Sequence, residues 1–238
     1  MPLRSLLVAL LAIAACGVEP NEAQRSPLPI DATAQNVLDG AREAMANVTS
    51  YTWVSDVEVD EHSTGDVTRT HVEGFWMAPD DFQFIATYEF EGTIVIDHRW
   101  VDGRSFQKRA GVWTEMNFRD PVGVPRFQGH SEVAALENVR FSQALTSAMW
   151  YGIEGEATDH LESLGELGSL TSMVELSVRH DDLLLATSVV ETAFPGGGIY
   201  RQTTRFGRFD ARGTIELPEG FVGLSDPNAP DPRPTPPP

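Results

Sequence analysis

The stretch "YTWVSDVEV" (Tyr51–Val59) decides the fold, because apolar and polar side chains alternate along it with a period of two. Such alternation is typical of a strand that buries one face. The apolar residues that share this face are Tyr51, Trp53, Val57 and Val59. The chain around this stretch is therefore expected to build a sheet with one apolar side.

A helix is predicted directly before this strand, from Ala32 to Val48. Asp31 and Thr33 are candidate N-caps. The apolar residues of the segment recur at helical spacing and form one stripe, which consists of Val37, Leu38, Ala41, Ala44, Met45 and Val48.

Alternation continues after this strand, and Asp102-Gly103 is a strong hairpin signal. In the segment from 82 to 90, the apolar residues that share one face of the predicted strand are Phe82, Phe84, Ala86, Tyr88 and Phe90. Further strands are predicted in "DVTRTHVEGFWM" (66–77), "FQFIATYEF" (82–90), "TIVIDHRWV" (93–101), "RSFQKR" (104–109) and "VWTEMNF" (112–118).

Helical spacing returns in "SEVAALENVRFSQALTSAMW" (Ser131–Trp150), and a shorter helix is predicted from Asp159 to Gly168. The apolar set of the longer helix is Val133, Leu136, Val139, Phe141, Leu145 and Met149. The last third is again strand-like, with a hairpin at Asp181-Asp182 and a closing strand in "TIELPEG" (214–220). This order predicts an α+β fold, with helices against one face of an antiparallel sheet.

The N-terminus resembles an export signal. The apolar run Ser5–Ala15 is shorter than the roughly 20 residues of a membrane-spanning helix and follows one cation, Arg4. "IAAC" (13–16) resembles the bacterial lipobox, which implies that residues 1–15 are a signal peptide and that Cys16 is lipidated. An ordinary signal followed by an incidental cysteine is the alternative. Residues 16–31 then form a flexible stalk.

Composition limits the classes of partner. The chain has 238 residues and a formal net charge of −18, which disfavours nucleic acid and anionic lipid surfaces. One folded domain is expected between residues 32 and 224. The proline-rich end, residues 225–238, is expected to be an extended, disordered tail.

Residues with catalytic or metal-binding chemistry form no recognisable pattern. The acidic pairs Asp80-Asp81 and Asp181-Asp182 fall at turns, where aspartate is favoured for local hydrogen bonds. Nucleophile-elbow, P-loop and dinucleotide-binding motifs are missing from the sequence. No metal, cofactor or enzymatic activity is expected. The six histidines are scattered without a ligand-like spacing: His62, His71, His98, His130, His160 and His180.

Aromatic residues recur through the first predicted strands, and two interpretations stay open. They could fill a solid core, or they could line an apolar cavity between sheet and helices. The aromatic residues concerned are Trp53, Phe75, Trp76, Phe82, Phe84, Tyr88, Trp100, Phe106 and Trp113.

Several segments resemble the LppX/LprAFG lipoproteins, which belong to the wider LolA-like fold. "ANVTSYTWVSDVEV" (46–59) is similar to their opening helix-to-strand passage, and "EGFWMAPDDFQFIAT" (73–87) to their second and third strands. "GRSFQKRAGVWTEM" (103–116) resembles a strand pair that ends on a tryptophan. "MVELSVRHDDLLLATSVVE" (173–191) and "TTRFGRFDARGTIELPEG" (203–220) resemble their last hairpin and terminal strand.

The resemblance implies a curved antiparallel half-barrel of about 10–11 strands, with helices on its concave face and an apolar pocket for acyl chains. The least similar region, Ser131–Gly168, would cap this pocket. The residues expected to line it are Trp53, Phe84, Tyr88, Ile94, Ile96, Val139, Phe141, Leu145 and Met149.

The implied function is that of an exported lipoprotein, held by Cys16 on the outer or periplasmic face of the cell membrane. It would carry or present lipids or lipoproteins by their acyl chains, such as palmitate, without covalent chemistry. The alternative is an envelope sensor that uses the same fold to bind a protein partner.

Replacing Cys16 tests the anchor. Two or three acyl chains give stable membrane attachment, whereas one chain alone is marginal. We expect Cys16→Ser to move the protein from the detergent phase into the aqueous phase on Triton X-114 partitioning. A serine variant that stays in the detergent phase would contradict lipidation at this residue.

Overall fold

The structure is a computed structural model that describes residues 33–61, 66–89, 93–117, 136–160, 169–194 and 196–223. The elements begin and end as follows: α1 Ala34–Ala46, β1 Ser50–Glu61, β2 Asp66–Met77, β3 Asp81–Glu89, β4 Thr93–Val101, β5 Arg104–Arg109, β6 Val112–Met116, β7 Glu137–Phe141, β8 Trp150–His160, β9 Ser169–Arg179, β10 Leu185–Ala193 and β11 Ile199–Gly207. Cys16, the stalk and the proline-rich tail lie outside the described residues.

The eleven strands form one open antiparallel sheet in the order β6-β5-β4-β3-β2-β1-β11-β10-β9-β8-β7. Strands that follow one another in the chain pair as hairpins, and β1 pairs with β11 at the centre. The antiparallel sheet is confirmed, and the described residues contain eleven strands, within the expected number. The curvature of the half-barrel and the position of helices on a concave face stay predictions.

The predicted first helix is confirmed, and Thr33 is its N-cap. The Thr33 hydroxyl accepts a hydrogen bond from the Asn36 amide at 3.2 Å. The buried stripe of the helix belongs to the same core as the central strands, and it consists of Ala34, Val37, Leu38, Ala41 and Met45. Within the described ranges, no helix has the length and apolar character needed to cross a membrane.

Two contacts hold the helix against the rest of the domain. The Asp210 carboxylate accepts hydrogen bonds from the Thr49 amide at 2.7 Å and from the Thr49 hydroxyl at 2.8 Å. A side chain at Gly40 would place its Cβ 2.6 Å from Leu183 in the β9–β10 turn. The helix therefore approaches this turn more closely than a larger residue would allow.

The predicted helix Ser131–Trp150 is wrong where the structure describes it, because Glu137–Phe141 is strand β7 and Trp150 begins strand β8. Val139 and Phe141 also satisfy a two-residue period, so their spacing did not distinguish the two structures. Asn138 has a φ of +52°, which a helix does not accommodate. Residues 131–135 lie outside the described residues.

The helix predicted from Asp159 is wrong at its start, because Asp159 and His160 pair with Leu170 and Ser169 as the end of β8. The rest of that segment, 161–168, lies outside the described residues. The closing strand predicted at 214–220 is also absent, since residues 211–218 carry no strand in the part of the chain that the structure describes.

Residues 211–223, the C-terminal segment, instead cover β4–β6 on the side opposite the main core. The Val222 amide donates to the Trp113 carbonyl at 2.9 Å, and the Val222 carbonyl accepts from the Glu115 amide at 2.9 Å. The Phe221 ring lies 4.9 Å from the fully buried ring of Phe106. The segment thus closes a second, smaller apolar cluster.

Truncating Phe221 tests this second cluster. Because Phe221 is only half-buried, we expect Phe221→Ala to lower the free energy of unfolding by about 1–3 kcal/mol, less than for a fully buried ring. Deleting the residues after Asp226 is the control, and it should leave stability unchanged because that tail contains no large apolar residue. Urea unfolding measures both. A deletion as costly as Phe221→Ala would show that the tail packs on the domain.

Candidate ligand-binding face

The register aligns side chains into rows that run across the inner face, which is the side of the sheet that carries the main core. We name three of these rows. The aromatic row consists of Phe206, Trp53, Gly74, Phe84 and His98. The small row consists of Ile153, Leu176, Ser188, Thr204, Ser55, Val72, Ala86 and Ile96. The margin row consists of Gly155, Val174, Val190, Gln202, Val57, Thr70, Tyr88 and Ile94.

The aromatic row depends on a glycine. A Cβ at Gly74 would meet the Trp53 indole at 2.2 Å, so the ring occupies the space that a side chain on β2 would need. The Phe84 and His98 rings stack at a centroid distance of 5.0 Å and an interplanar angle of 14°. Trp53, Phe84 and His98 are each nearly fully buried. This row forms a packed aromatic layer beside the small row.

Polar side chains also lie on the inner face, and the hydroxyls of Ser55, Ser188 and Thr204 are buried there. Ser55 and Thr204 share a hydrogen bond of 3.0 Å, and the Gln202 amide donates to Thr204 at 3.0 Å. The Tyr200 hydroxyl donates to the Gln202 side-chain carbonyl. The buried Ser188 hydroxyl has no hydrogen-bond partner among the described residues. These groups are polar but uncharged, and we call them the hydroxyl strip.

Charged side chains are missing from the small and margin rows of the described strands. Neither the small row nor the margin row contains Asp, Glu, Lys, Arg or His. His98 in the aromatic row is 4% exposed, and its burial lowers the pKa from 6.5 to about 4. At neutral pH this histidine is uncharged too. The three rows are therefore uncharged at neutral pH, in a protein of net charge −18.

The opposite, outer face carries a charged groove of ≈ 540 Å³. Its centre is His71, whose Nδ1 lies 2.6 Å from Asp56 and whose Nε2 lies 3.2 Å from Glu73. The hydrogen bond to Asp56, followed by the one to Glu73, raises the pKa of His71, since only the protonated ring can donate from both nitrogens. Arg205 also binds Asp56 at 2.6 Å. Paired, half-exposed charges make this groove unsuitable for an apolar ligand.

Two solved structures share this architecture. LprF from Mycobacterium bovis matches with a TM-score of 0.53 and 14% identity, over 78% of this chain and 96% of LprF. LppX, a lipoprotein from Mycobacterium tuberculosis, matches with a TM-score of 0.52 and 14% identity, over 77% of this chain and 98% of LppX. The chain has the fold of LprF and LppX.

More distant similarity extends to a LolA superfamily protein, NE2245 from Nitrosomonas europaea. It matches with a TM-score of 0.30 and 11% identity, over 79% of this chain and 96% of that protein. No family model and no curated protein matches the sequence. The matches to LprF and LppX confirm the resemblance expected from the sequence, at the level of the fold.

Within this LppX/LprF fold, the residues predicted to line a pocket separate into two groups. Those in the core or packed against it are Trp53, Phe84, Tyr88, Ile96 and Val139. Those outside the core are Ile94, Phe141, Leu145 and Met149. Ile94 is 58% and Met149 66% exposed. Leu145 packs on Gly152, which points away from the core because its neighbour Ile153 points into it.

Sequence reasoning missed the hydroxyl strip and the His71 cluster. Ser55 already falls on the apolar face of "YTWVSDVEV". In the same way, Ser188 and Thr192 lie two residues before and after Val190 and share its face of the strand. This parity was the available signal for the strip. The contact of His71 with Asp56 needs the β1–β2 register, which spacing did not supply.

Among the described residues, no group of three or more potential ligands is placed to hold a metal ion.

Replacing His98 tests the neutral character of the inner face. Below pH 6.5 the unfolded chain takes up a proton that folded His98, with a pKa of about 4, does not, so stability falls as pH falls. Between pH 7 and pH 5, this protonation of the unfolded chain lowers the free energy of unfolding by about 2 kcal/mol. We expect His98→Phe to remove that part of the pH dependence in urea unfolding.

His71→Gln is the control of opposite sign. The raised pKa of His71 contributes stability that is present below pH 6.5 and is lost as pH rises through the folded pKa. The variant should therefore lose stability mainly at low pH, by a small amount because the side chain is 45% exposed. A His98→Phe protein with the same pH dependence as the wild type would contradict a neutral, buried His98.

Proposed function

We propose that this protein is an exported envelope lipoprotein that binds acyl chains of lipids or lipoproteins on its inner face and carries or presents them. The observation that supports this proposal most directly is that the small and margin rows of the described strands contain no charged side chain. Cys16 anchors the protein to the membrane. The function requires no covalent chemistry and no cofactor.

The energy of the acyl chain explains how such a face acts. Exposing an acyl chain to water costs about 0.8 kcal/mol for each CH₂ group, or on the order of 10 kcal/mol for a long chain. A neutral apolar surface removes most of this penalty. Because it does not have to bind the chain more tightly than a bilayer does, the protein is able both to take up the ligand and to release it.

The margin row is the part of the inner face best suited to hold the chain. The aromatic row is packed, whereas Val57, Tyr88 and Val190 in the margin row are half-buried. Ile94 at the β4 end of this row is 58% exposed, so the row reaches the surface there. An acyl chain along this row would lie against aliphatic side chains and cover apolar surface that the described residues leave partly open.

The fold and the sequence support the same assignment. LppX, which shares the fold, is itself a lipoprotein. The lipobox-like "IAAC" (13–16) precedes the domain in this chain. The charged outer face would keep the tethered domain soluble while the inner face binds the ligand.

A charge introduced on each face of β10 tests the proposal. Val190 and Val189 are adjacent, half-buried and of the same residue type, but Val190 lies in the margin row and Val189 on the outer face. We expect Val190→Asp to weaken uptake of a fluorescent fatty acyl probe at least about tenfold, because it desolvates a carboxylate against the chain. Val189→Asp should bind the probe as the wild type does.

Circular dichroism and thermal unfolding must show that both variants are folded. Wild-type protein that takes up no probe, or equal losses in the two folded variants, would contradict binding on the inner face. If a protein co-purifies in a fixed ratio and no lipid is extracted by organic solvent, the partner-binding alternative is the better account.

A further inference from the structure

Strand β4 extends past its neighbour β5 at one end. The register between β4 and β5 begins at Asp97, which pairs with Lys108, whereas β4 itself begins at Thr93. On its other side, β4 pairs with β3 from Thr93 onward. The first residues of β4 therefore have a described strand on one side only, and we call Thr93–Val95 the open edge.

A tight turn explains why β5 ends before it reaches the open edge. Arg109 pairs with Val112, so the chain reverses direction through only two residues, Ala110 and Gly111. Both have a positive φ, +48° and +84°, as a type I′ hairpin turn requires. The chain turns away into β6, and among the described residues no other backbone group bonds to the open edge from the β5 side.

The open edge is uncharged and its side chains are exposed. Ile94 and Val95 are each 58% exposed, and they lie on opposite faces of the sheet because adjacent side chains alternate. The N–H and C=O groups also alternate in direction along a strand, so part of this backbone points away from β3 into solvent. An exposed edge of β-branched residues without charge is a template for pairing with another strand.

The two outer edges of the sheet are protected in ways that the open edge is not. At β6, Val222 of the C-terminal segment pairs with Thr114 and bonds the backbone of Trp113 and Glu115. At β7, Asn138 has a φ of +52° and the register with β8 is irregular, which hinders the addition of a strand. In the part of the chain that the structure describes, the open edge has neither protection. The β6 edge also shows that an extended segment is able to cover a strand edge of this sheet.

We propose that the open edge is a docking site for an extended segment of a partner protein, which adds to the sheet beside β4. The segment is uncharged and rich in Val, Ile or Thr, because its side chains lie beside Ile94 on the inner face and Val95 on the outer face. A lipid surface fits less well, since unpaired backbone groups are not tolerated in hydrocarbon. This docking goes beyond the proposed function, and it does not depend on the binding of an acyl chain.

A pair of peptides tests the docking on the full-length wild-type protein. The probe is fluorescent acetyl-Lys-Thr-Val-Thr-Val-Thr-Lys-amide, and its control carries methyl groups on alternate backbone nitrogens. Methylation keeps the side chains but removes the hydrogen-bond donors along one side of the peptide. We expect the probe to bind at least about tenfold more tightly than the control in fluorescence anisotropy. It should also slow hydrogen exchange of the amides at Thr93–Val95.

Two lysine variants locate the site. Val95 and Ile85 are β-branched residues on the outer face, 58% and 49% exposed, but Ile85 lies between strands that pair on both sides of it. Lysine on an edge strand opposes pairing. We expect Val95→Lys to weaken binding of the probe at least about tenfold and Ile85→Lys to leave it unchanged. Uptake of a fluorescent fatty acyl probe, measured on the same proteins, reports the proposed function separately.

Three results would overturn the docking site. The first is equal binding of the two peptides, or no protection of the open edge by the probe. The second is protection of Thr93–Val95 by phosphatidylcholine vesicles and not by the probe, which would assign the edge to a lipid surface. The third is a dimer that Val95→Lys dissociates and the probe does not, which would assign it to a second copy. The comparison of the two peptides on the wild type decides the matter even if Val95→Lys does not fold.

Discussion

The structure depends on the continuous antiparallel register across β8–β11 and β1–β4, because it decides which side chains share a face. Side chains along a strand alternate, so a shift of one residue in β1 would bring Asp56 and Glu58 onto the inner face. The observed register keeps both carboxylates outside, paired with His71, Arg205 and Arg69. One constraint thus gives a neutral face and a charged face.

Packing on the neutral face reinforces the same register. The Trp53 indole fits only where Gly74 lies opposite, because any side chain at that position would collide with the ring. The aromatic layer around it and the buried stripe of α1 form one core. At the edge of this core, Val57, Tyr88 and Val190 of the margin row are only half-buried, which leaves apolar surface for a ligand. Stability and binding therefore depend on adjacent rows of one face.

Strong local patterns predicted much of this fold, and weak ones did not. Alternation in "YTWVSDVEV" and the turn at Asp102-Gly103 identified strands and a hairpin that the structure confirms. The segment around Val139 and Phe141 fits both helical and strand periods, and its pairing with β8 decides between them. Sequence parity places Ser55 on the apolar face of its strand, but only the β1–β11 register shows that it lies opposite Thr204.

The most direct test of the central claim is to locate a bound acyl chain on the sheet. Full-length protein would be incubated with a diacylglycerol that carries a photoreactive diazirine at the end of one chain, irradiated, digested and sequenced by mass spectrometry. The account predicts labels at margin-row positions, above all Val57, Tyr88 and Val190. Labels on outer-face residues such as Val54 and Val189, or no label above that of an uncoupled control probe, would contradict it.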